Sequence, residues 1–191
     1  MVVFDIGFIK GVMMEDIVYL DKSIYQGYKE TVTYETDSYF GLMQLENHGG
    51  FAFDLIEKKL PNKVSKSFVI NLYPDYFPDA EAYGVFASNR LIGLIEISYE
   101  GWNNRLRITE LWVDLLFRHK GIGSKLMEHA QLIAKKKNAR AVILETQTTN
   151  IDAIKFYLSQ GFQVLGVDLG CYGNHDVESK EIRLELWRMI E

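Results

Sequence analysis

From Ala82 onward the apolar and polar positions follow two periods in turn. "AYGVFASNRLIGLIEISYEGW" (82–102) carries two β-rich runs around Ser88, Asn89 and Arg90, the pattern of a hairpin. "RLRITELWVDLLF" (105–117) reads as a third strand. Between Lys120 and Lys137 the period changes: Ile122, Leu126, Met127, Ala130, Ile133 and Ala134 recur at helical spacing, with lysines in the last turn where the macrodipole favours them. "ARAVILETQ" (139–147) reads as a buried strand, and "IDAIKFYLSQ" (151–160) as a helix closed by Gly161. "FQVLGVDLG" (162–170) and "EIRLELWRMI" (181–190) supply two more strands. The order β-β-β-α-β-α-β-β predicts an α/β (α+β) fold: a central mixed, mostly antiparallel sheet with helices on its faces. Its β-α-β part must be a crossover between parallel strands.

The first part of the chain is less regular in pattern. "YPDYFPDAEA" (73–82) reads as a loop, because each proline fixes its own backbone and turns its predecessor away from helix. It divides an irregular portion, 1–78, from a regular one, 79–191. Within the first portion "YKETVTYET" (28–36) alternates as a strand does, and "FAFDLIEKKL" (51–60) predicts a short helix ended by Pro61.

Composition narrows the class. The 191 residues predict one domain with a real core, and 48% hydrophobic with 25% charged residues excludes a disordered or fibrous chain. A net charge of −5 argues against a general nucleic-acid binder. One cysteine, Cys171, excludes an internal disulfide framework and fits a reducing compartment. No apolar run approaches the roughly 20 residues of a membrane span. "MVVFDIGFIKG" (1–11) lacks a basic n-region and does not read as a signal peptide. The expectation is a soluble cytoplasmic protein, with no membrane or nucleic-acid partner. His48, His119, His129 and His175 lack ligand spacing, so no metal is expected.

"FRHKGIGSKLMEHA" (117–130) places three basic side chains and two glycines directly before the helix. A glycine-rich turn feeding a helix bares backbone N–H groups at the positive end of the dipole, which suits a phosphate. Gly121 and Gly123 allow close approach, Arg118, His119 and Lys120 add positive potential, and Ser124 offers a hydroxyl. The spacing fits neither a P-loop nor a dinucleotide fingerprint, since the position three beyond Gly123 is Leu126. On the residues alone, a loop whose glycines only relieve strain stands equal to a phosphate cradle.

The pattern R-x-x-G-x-G, on a loop from "ELWVD" into a helix, resembles motif A of the GNAT (Gcn5-related) N-acetyltransferases. "LETQTTNIDAIKFYLSQGF" resembles the family's other signature through Asn150, Ala153, Phe156, Tyr157, Gly161 and Phe162. The resemblance covers about 81–191. "LETQTTNIDAIKFY", "VDLGCYGN" and "EIRLELW" are further similar to the streptothricin acetyltransferase branch, which acetylates an amine on the β-lysine part of that antibiotic. The resemblance implies acetyl-CoA as cosubstrate, no metal, and direct transfer to a primary amine of a small cationic acceptor in a ternary complex. It makes 79–191 the acetyl-CoA-binding core and leaves 1–78 to complete the sheet and the acceptor side. The backbone of Leu111, Trp112 and Val113 would hold the pantetheine arm, and Arg118, His119, Lys120, Gly121, Ile122, Gly123 and Ser124 the diphosphate. The Val113 N–H would stabilise the oxyanion. Asn150, expected also as a helix cap, would touch CoA.

The resemblance makes Tyr157 the general acid, against the alternative that its ring only packs on the sheet. Glu110 is the candidate base and Glu145 the alternative base or amine contact, while either carboxylate could instead pair with Arg105, Arg107 or Lys155. Glu96, Glu100, Glu110 and Glu145 would draw a cation if they face the cleft. Tyr99, Trp102 and Tyr172 could line an acceptor pocket or simply pack. Cys171 reads as a packed or loop thiol, and "AKKKNAR" (134–140) as a solvated helix end within possible reach of the CoA 3′-phosphate. Polyamines, aminoglycosides and protein amines stand as other acceptors. A CoA-binding sensor without catalysis is the alternative class, and the chain would be a monomer or homodimer.

Overall fold

The computed structural model describes residues 8–9, 12–13, 16–47 and 50–191. Strands β1 (Phe8–Ile9) and β2 (Val12–Met13) form a short antiparallel pair, followed by β3 (Val18–Tyr19). Helix α1 (Lys22–Tyr25) is a single turn whose cap, Asp21, accepts the Ser23 N–H. β4 (Lys29–Asn47) and β5 (Gly50–Asn71) make a two-stranded sheet. Then come β6 (Ala80–Ala87), β7 (Arg90–Glu100), β8 (Arg105–Val113), a 3₁₀ turn (Leu115–Phe117) and α2 (Ile122–Lys136). The chain closes with β9 (Ala141–Gln147), α3 (Ile151–Ser159), β10 (Gln163–Asp168), the one-turn α4 (Asp176–Ser179) and β11 (Arg183–Met189).

From β6 onward this is the predicted order with two corrections: the strand expected over 105–117 ends at Val113 and gives way to the 3₁₀ turn, and the one-turn α4 stands between the last two strands. The first portion corrects two expectations. Residues 51–60 are strand, not helix, and belong to β5. The portion expected to be irregular is mostly this long hairpin. Pro61 is tolerated because both strands of a two-stranded sheet are edges, so a missing N–H need not break a ladder.

The chain forms two compact units, and β9 gives its first three residues to one and its last four to the other. The first unit contains 69–143 with parts of both termini. Its strands run β3-β6-β7-β8-β9, antiparallel except for the last pair. Ser88 and Asn89, at φ 49° and 65°, form the tight turn from β6 to β7, with both central residues left-handed as a type I′ hairpin needs. In β8, Glu110 pairs with Glu96 and Ile108 with Ile97, so Thr109 is an extra residue at a bulge. The parallel β8–β9 ladder runs from Arg105↔Ala141 to Arg107↔Ile143, with α2 as its crossover. Every residue of β7 from Ile92 to Ser98 is buried, which marks a strand covered on both faces. The predicted stripe of α2, Ile122, Leu126, Met127, Ala130, Ile133 and Ala134, is its buried face.

The second unit contains 31–68 and 144–188. β11 stands between β9 and β10, with an antiparallel β10–β11 ladder from Gln163↔Trp187 to Asp168↔Arg183. The α3 face formed by Ile151, Ile154 and Tyr157 is buried. Gly161, at φ 81°, ends this helix as expected, and the Phe162 N–H returns to the Tyr157 carbonyl at 3.1 Å. The hairpin joins the unit through the Phe40 N–H to the Thr148 carbonyl at 3.0 Å, and through Tyr34 Oη and Thr149 Oγ1, 3.0 Å apart.

Candidate functional site

In the first unit the chain leaves β8 at Val113 and reaches α2 through eight residues, 114–121. Asp114 organises the exit. Its carboxylate accepts the Leu116 N–H at 2.9 Å and pairs with Arg90, and its own N–H donates to the Ile92 carbonyl at 2.9 Å. That last bond fixes the ladder's alternation, so the Val113 N–H lies on the side of β8 away from β7. The Val113 carbonyl accepts Arg118 Nε at 3.2 Å, which holds the guanidinium beside the strand end.

His119 (φ 59°) and Gly121 (φ 84°) are left-handed, and together they turn the chain into α2. Gly121 is the N-cap, and the cap makes no side-chain hydrogen bond to the helix. A Cβ built there would meet nothing within 4 Å. The first-turn residues Ile122, Gly123 and Ser124 thus follow a cap with no side chain to offer their amides, at the positive end of a 15-residue helix. Around them stand Arg118, exposed His119, and Lys120, whose Nζ lies 4.9 Å from the Phe117 ring centroid. Leu111 and Val113 are half-buried, and Trp112 is buried. The predicted donor-loop residues 111–113 and 118–124 therefore share one strand end and one helix start, an arrangement suited to an anion.

The carboxylates of this unit divide. Glu96 is fully buried, accepting the Tyr73 N–H at 2.6 Å and the Thr109 hydroxyl at 2.8 Å. Burial pushes its carboxyl above the ordinary glutamate range, while those two donors and the Lys22 charge pull the other way. Glu100 is held by Arg105 at 3.1 Å and Arg107 at 2.5 Å. These two residues form internal ties rather than an open lure for a cation. Glu110 is half-buried on β8 beside the bulge.

In the second unit Asn150 caps α3 without a side-chain bond to the helix. Tyr157 is buried, with its ring 5.6 Å from Phe156 and 6.2 Å from Phe162. Glu145 is exposed on β9. Lys155, a suggested partner for it, is bound to Glu57 at 3.1 Å. The actual partner is Arg183, 2.9 Å away, whose guanidinium also meets Glu185 and Cys171 Sγ, each at 3.3 Å. The Tyr172 hydroxyl donates to Glu145 at 3.4 Å. Its phenol is pushed up by burial first and by the Glu145 charge second. The sequence reading missed Arg183. Its signal was the alternation of "EIRLELW", which puts Arg183 and Glu185 on one face of β11.

The Tyr99 hydroxyl donates to Asn104 at 2.8 Å, and Trp102 is 84% exposed with Arg105 over its ring. Lys135 and Lys136 are exposed, as expected of a solvated helix end, and Lys137 binds Glu81 at 2.8 Å. His129 stacks edge-on against Tyr83 at 4.6 Å, and His48 lies outside the described residues. Among the described residues no group of three or more His, Cys, Asp or Glu could hold a metal, and no helix is long and apolar enough to cross a membrane.

Residues 51–162 match the family model described as Acetyltransferase (GNAT) family. Over 103 residues the chain is 34% identical to a streptothricin acetyltransferase of Escherichia coli, covering 54% of this chain and 59% of that one. Over 88 residues it is 39% identical to a streptothricin acetyltransferase of Streptomyces lavendulae, covering 46% and 47%. The chain thus spans about half the length of the curated relatives it matches. Its fold is that of a Bacillus anthracis protein assigned as a streptothricin acetyltransferase and solved with acetyl coenzyme A, at TM-score 0.74 and 24% identity over 93% of this chain and 98% of that one.

Proposed function

Because this chain belongs to the GNAT acetyltransferase family, we propose that it is an acetyl-CoA-dependent N-acetyltransferase acting on a primary amine of a small cationic acceptor, with streptothricin as the leading candidate. The observation that carries this reading is the start of α2, a helix whose glycine cap offers its first turn no capping side chain, eight residues after a strand whose last N–H points away from β7. The relatives' own substrate supports the acceptor.

In this reading the amides of 121–124, with Arg118, His119, Lys120 and the Ser124 hydroxyl, bind the diphosphate, and the backbone of 111–113 binds the pantetheine arm. The amine nitrogen attacks the thioester carbonyl carbon, forming the new C–N bond and a tetrahedral oxyanion, whose collapse breaks the C–S bond and releases the CoA thiolate. Glu110 takes the amine proton, directly or through water. The Val113 N–H stabilises the oxyanion, a contribution of on the order of 100-fold in rate for a single donor of this kind. Tyr157 supplies a proton to the departing thiolate, its O–H being the one polar end of an otherwise packed ring. Asn150 contacts CoA, and Glu145 meets the acceptor's charge. The chain functions as one N-acetyltransferase domain in the cytoplasm, alone or as a homodimer.

The test is free-thiol release from acetyl-CoA with a panel of amines: streptothricin, polyamines, aminoglycosides and peptides. Release with streptothricin above the other amines supports the reading. Stabilisation by CoA with no release on any amine replaces it by a CoA-binding sensor.

A further inference from the structure

Both oxygens of the Glu145 carboxylate are engaged, by different parts of the chain. Arg183 Nη2 takes Oε2 at 2.9 Å and the Tyr172 hydroxyl takes Oε1 at 3.4 Å. The two donors are themselves anchored. Arg183 sits on β11 with its guanidinium between Glu145 and Glu185, and its Nη1 donates to Cys171 Sγ. Tyr172 belongs to the β10–β11 connection, where its N–H donates at 2.8 Å to the carboxylate of Asp176, only 5% exposed. The Asp176 carbonyl in turn accepts the Glu181 N–H at 2.8 Å. Adjacent residues at the tip of this connection, Cys171 and Tyr172, are thereby tied to Arg183 and Glu145.

A carboxylate offers roughly four acceptor positions, and these two contacts fill half of them. The Glu145 side chain is still 41% exposed, and Tyr172 beside it 43%. What remains is an oriented carboxylate edge next to an aromatic face, the combination that receives an ammonium by charge-assisted hydrogen bond and cation–π contact. An unheld glutamate on a strand surface would have to lose its rotamer freedom on binding; this one has lost it already.

We propose that Arg183 is a positioning residue for acceptor recognition: acting through Glu145, and with Tyr172, it fixes the carboxylate that meets the ammonium of a small polycationic acceptor. The proposal rests on the acetyltransferase reading above and names the part of the second unit that selects its acceptor. Arg183 touches no reacting atom, so its removal acts on acceptor affinity and leaves acetyl-CoA affinity alone.

The experiment is a double-mutant cycle of Glu145→Gln and Arg183→Met, with Arg183→Lys as the conservative variant. Two readouts are taken on protein checked for an unchanged unfolding transition: streptothricin KM in the thiol-release assay, and streptothricin Kd by calorimetry. Each single variant raises both by roughly tenfold, the coupling expected of neighbours in one network. Acetyl-CoA KM is unchanged, Arg183→Lys recovers part of the loss, and in Glu145→Gln protein the second change Arg183→Met adds nothing. Fully additive losses, or an Arg183→Met protein with unaltered streptothricin binding, overturn the proposal. So does wild-type protein that binds no streptothricin. If Arg183→Met does not fold, Arg183→Lys with Glu145→Gln runs the same cycle. Calorimetric binding with no thiol release would remove the catalytic reading while the cycle still decides the role of Arg183.

Discussion

Gly93 on β7 and Ile122 at the start of α2 meet so closely that a Cβ on Gly93 would stand 2.7 Å from Ile122 Cγ2. Leu126 Cδ1 and the Trp112 carbonyl oxygen would follow at 3.3 and 3.4 Å. The Ile122 methyl sits on a β-branched carbon and cannot swing aside, so a side chain at 93 must displace the helix start itself. Gly93→Ala is therefore expected to cost about 1–3 kcal/mol, as overpacking does, and to weaken acetyl-CoA binding at the same time. Urea unfolding and a CoA titration on one preparation check both, and an alanine variant with both properties intact removes the link between this contact and the loop.

Gly121→Ala separates binding from folding. The new Cβ enters open space, so the penalty to the fold is only that of the left-handed backbone at φ 84°, about 1–2 kcal/mol. That open space is where the diphosphate is proposed to lie, so affinity for CoA should fall by more than stability does. Paired measurements of Tm and Kd give the comparison; unchanged Kd would mean the cap glycine serves the turn alone.

Tyr157→Phe keeps the ring contacts with Phe156 and Phe162 and removes only the hydroxyl. If that hydroxyl protonates the thiolate, kcat falls by about 100-fold or more while Kd for CoA changes little. Steady-state kinetics with a CoA titration reads both quantities. Undiminished kcat assigns the residue to packing.

Glu96 gives the fold a pH dependence of determined sign. Its carboxyl is raised in the folded state, chiefly by burial. The stability it contributes is whole below the ordinary glutamate range and declines as pH rises through the raised folded value. Glu96→Gln keeps a group able to accept the Tyr73 N–H and donate to the Thr109 hydroxyl, and it does not titrate. The stability difference between variant and wild type should therefore move in favour of the variant as pH is raised from mildly acidic to neutral. Denaturant midpoints across that range measure it, and a difference independent of pH would contradict the assignment.

These tests lean mostly on elements whose pattern was readable in the chain. The α2 stripe from Ile122 to Ala134 declared itself because its buried face is continuous and its other face is not. The two-residue turn at Ser88–Asn89 was placed by its flanking runs. The β5 strand was missed for the opposite reason. Periodicity reports burial, and here Phe53 and Ile56 remain 54% and 43% exposed, so the apolar positions of 51–60 mark no buried face. The turn proposed to hold the donor stood out in the sequence through its spacing of glycines and basic residues. The Arg183–Glu145–Tyr172 arrangement was not, because its members come from three elements far apart in sequence, and only the fold of the second unit joins them. The acidic residues Glu96 and Glu100 looked like binding groups until their donors were visible, Tyr73 and Thr109 for one and two arginines for the other.

The claim under all of this is that the turn from Gly121 to Ser124, behind its glycine cap, grips a diphosphate. A crystal soaked with acetyl-CoA measures it directly. The expected result is diphosphate oxygens within hydrogen-bond distance of the backbone nitrogens of 121–124. Density for acetyl-CoA elsewhere, with those nitrogens bonded to other protein atoms, would contradict the account.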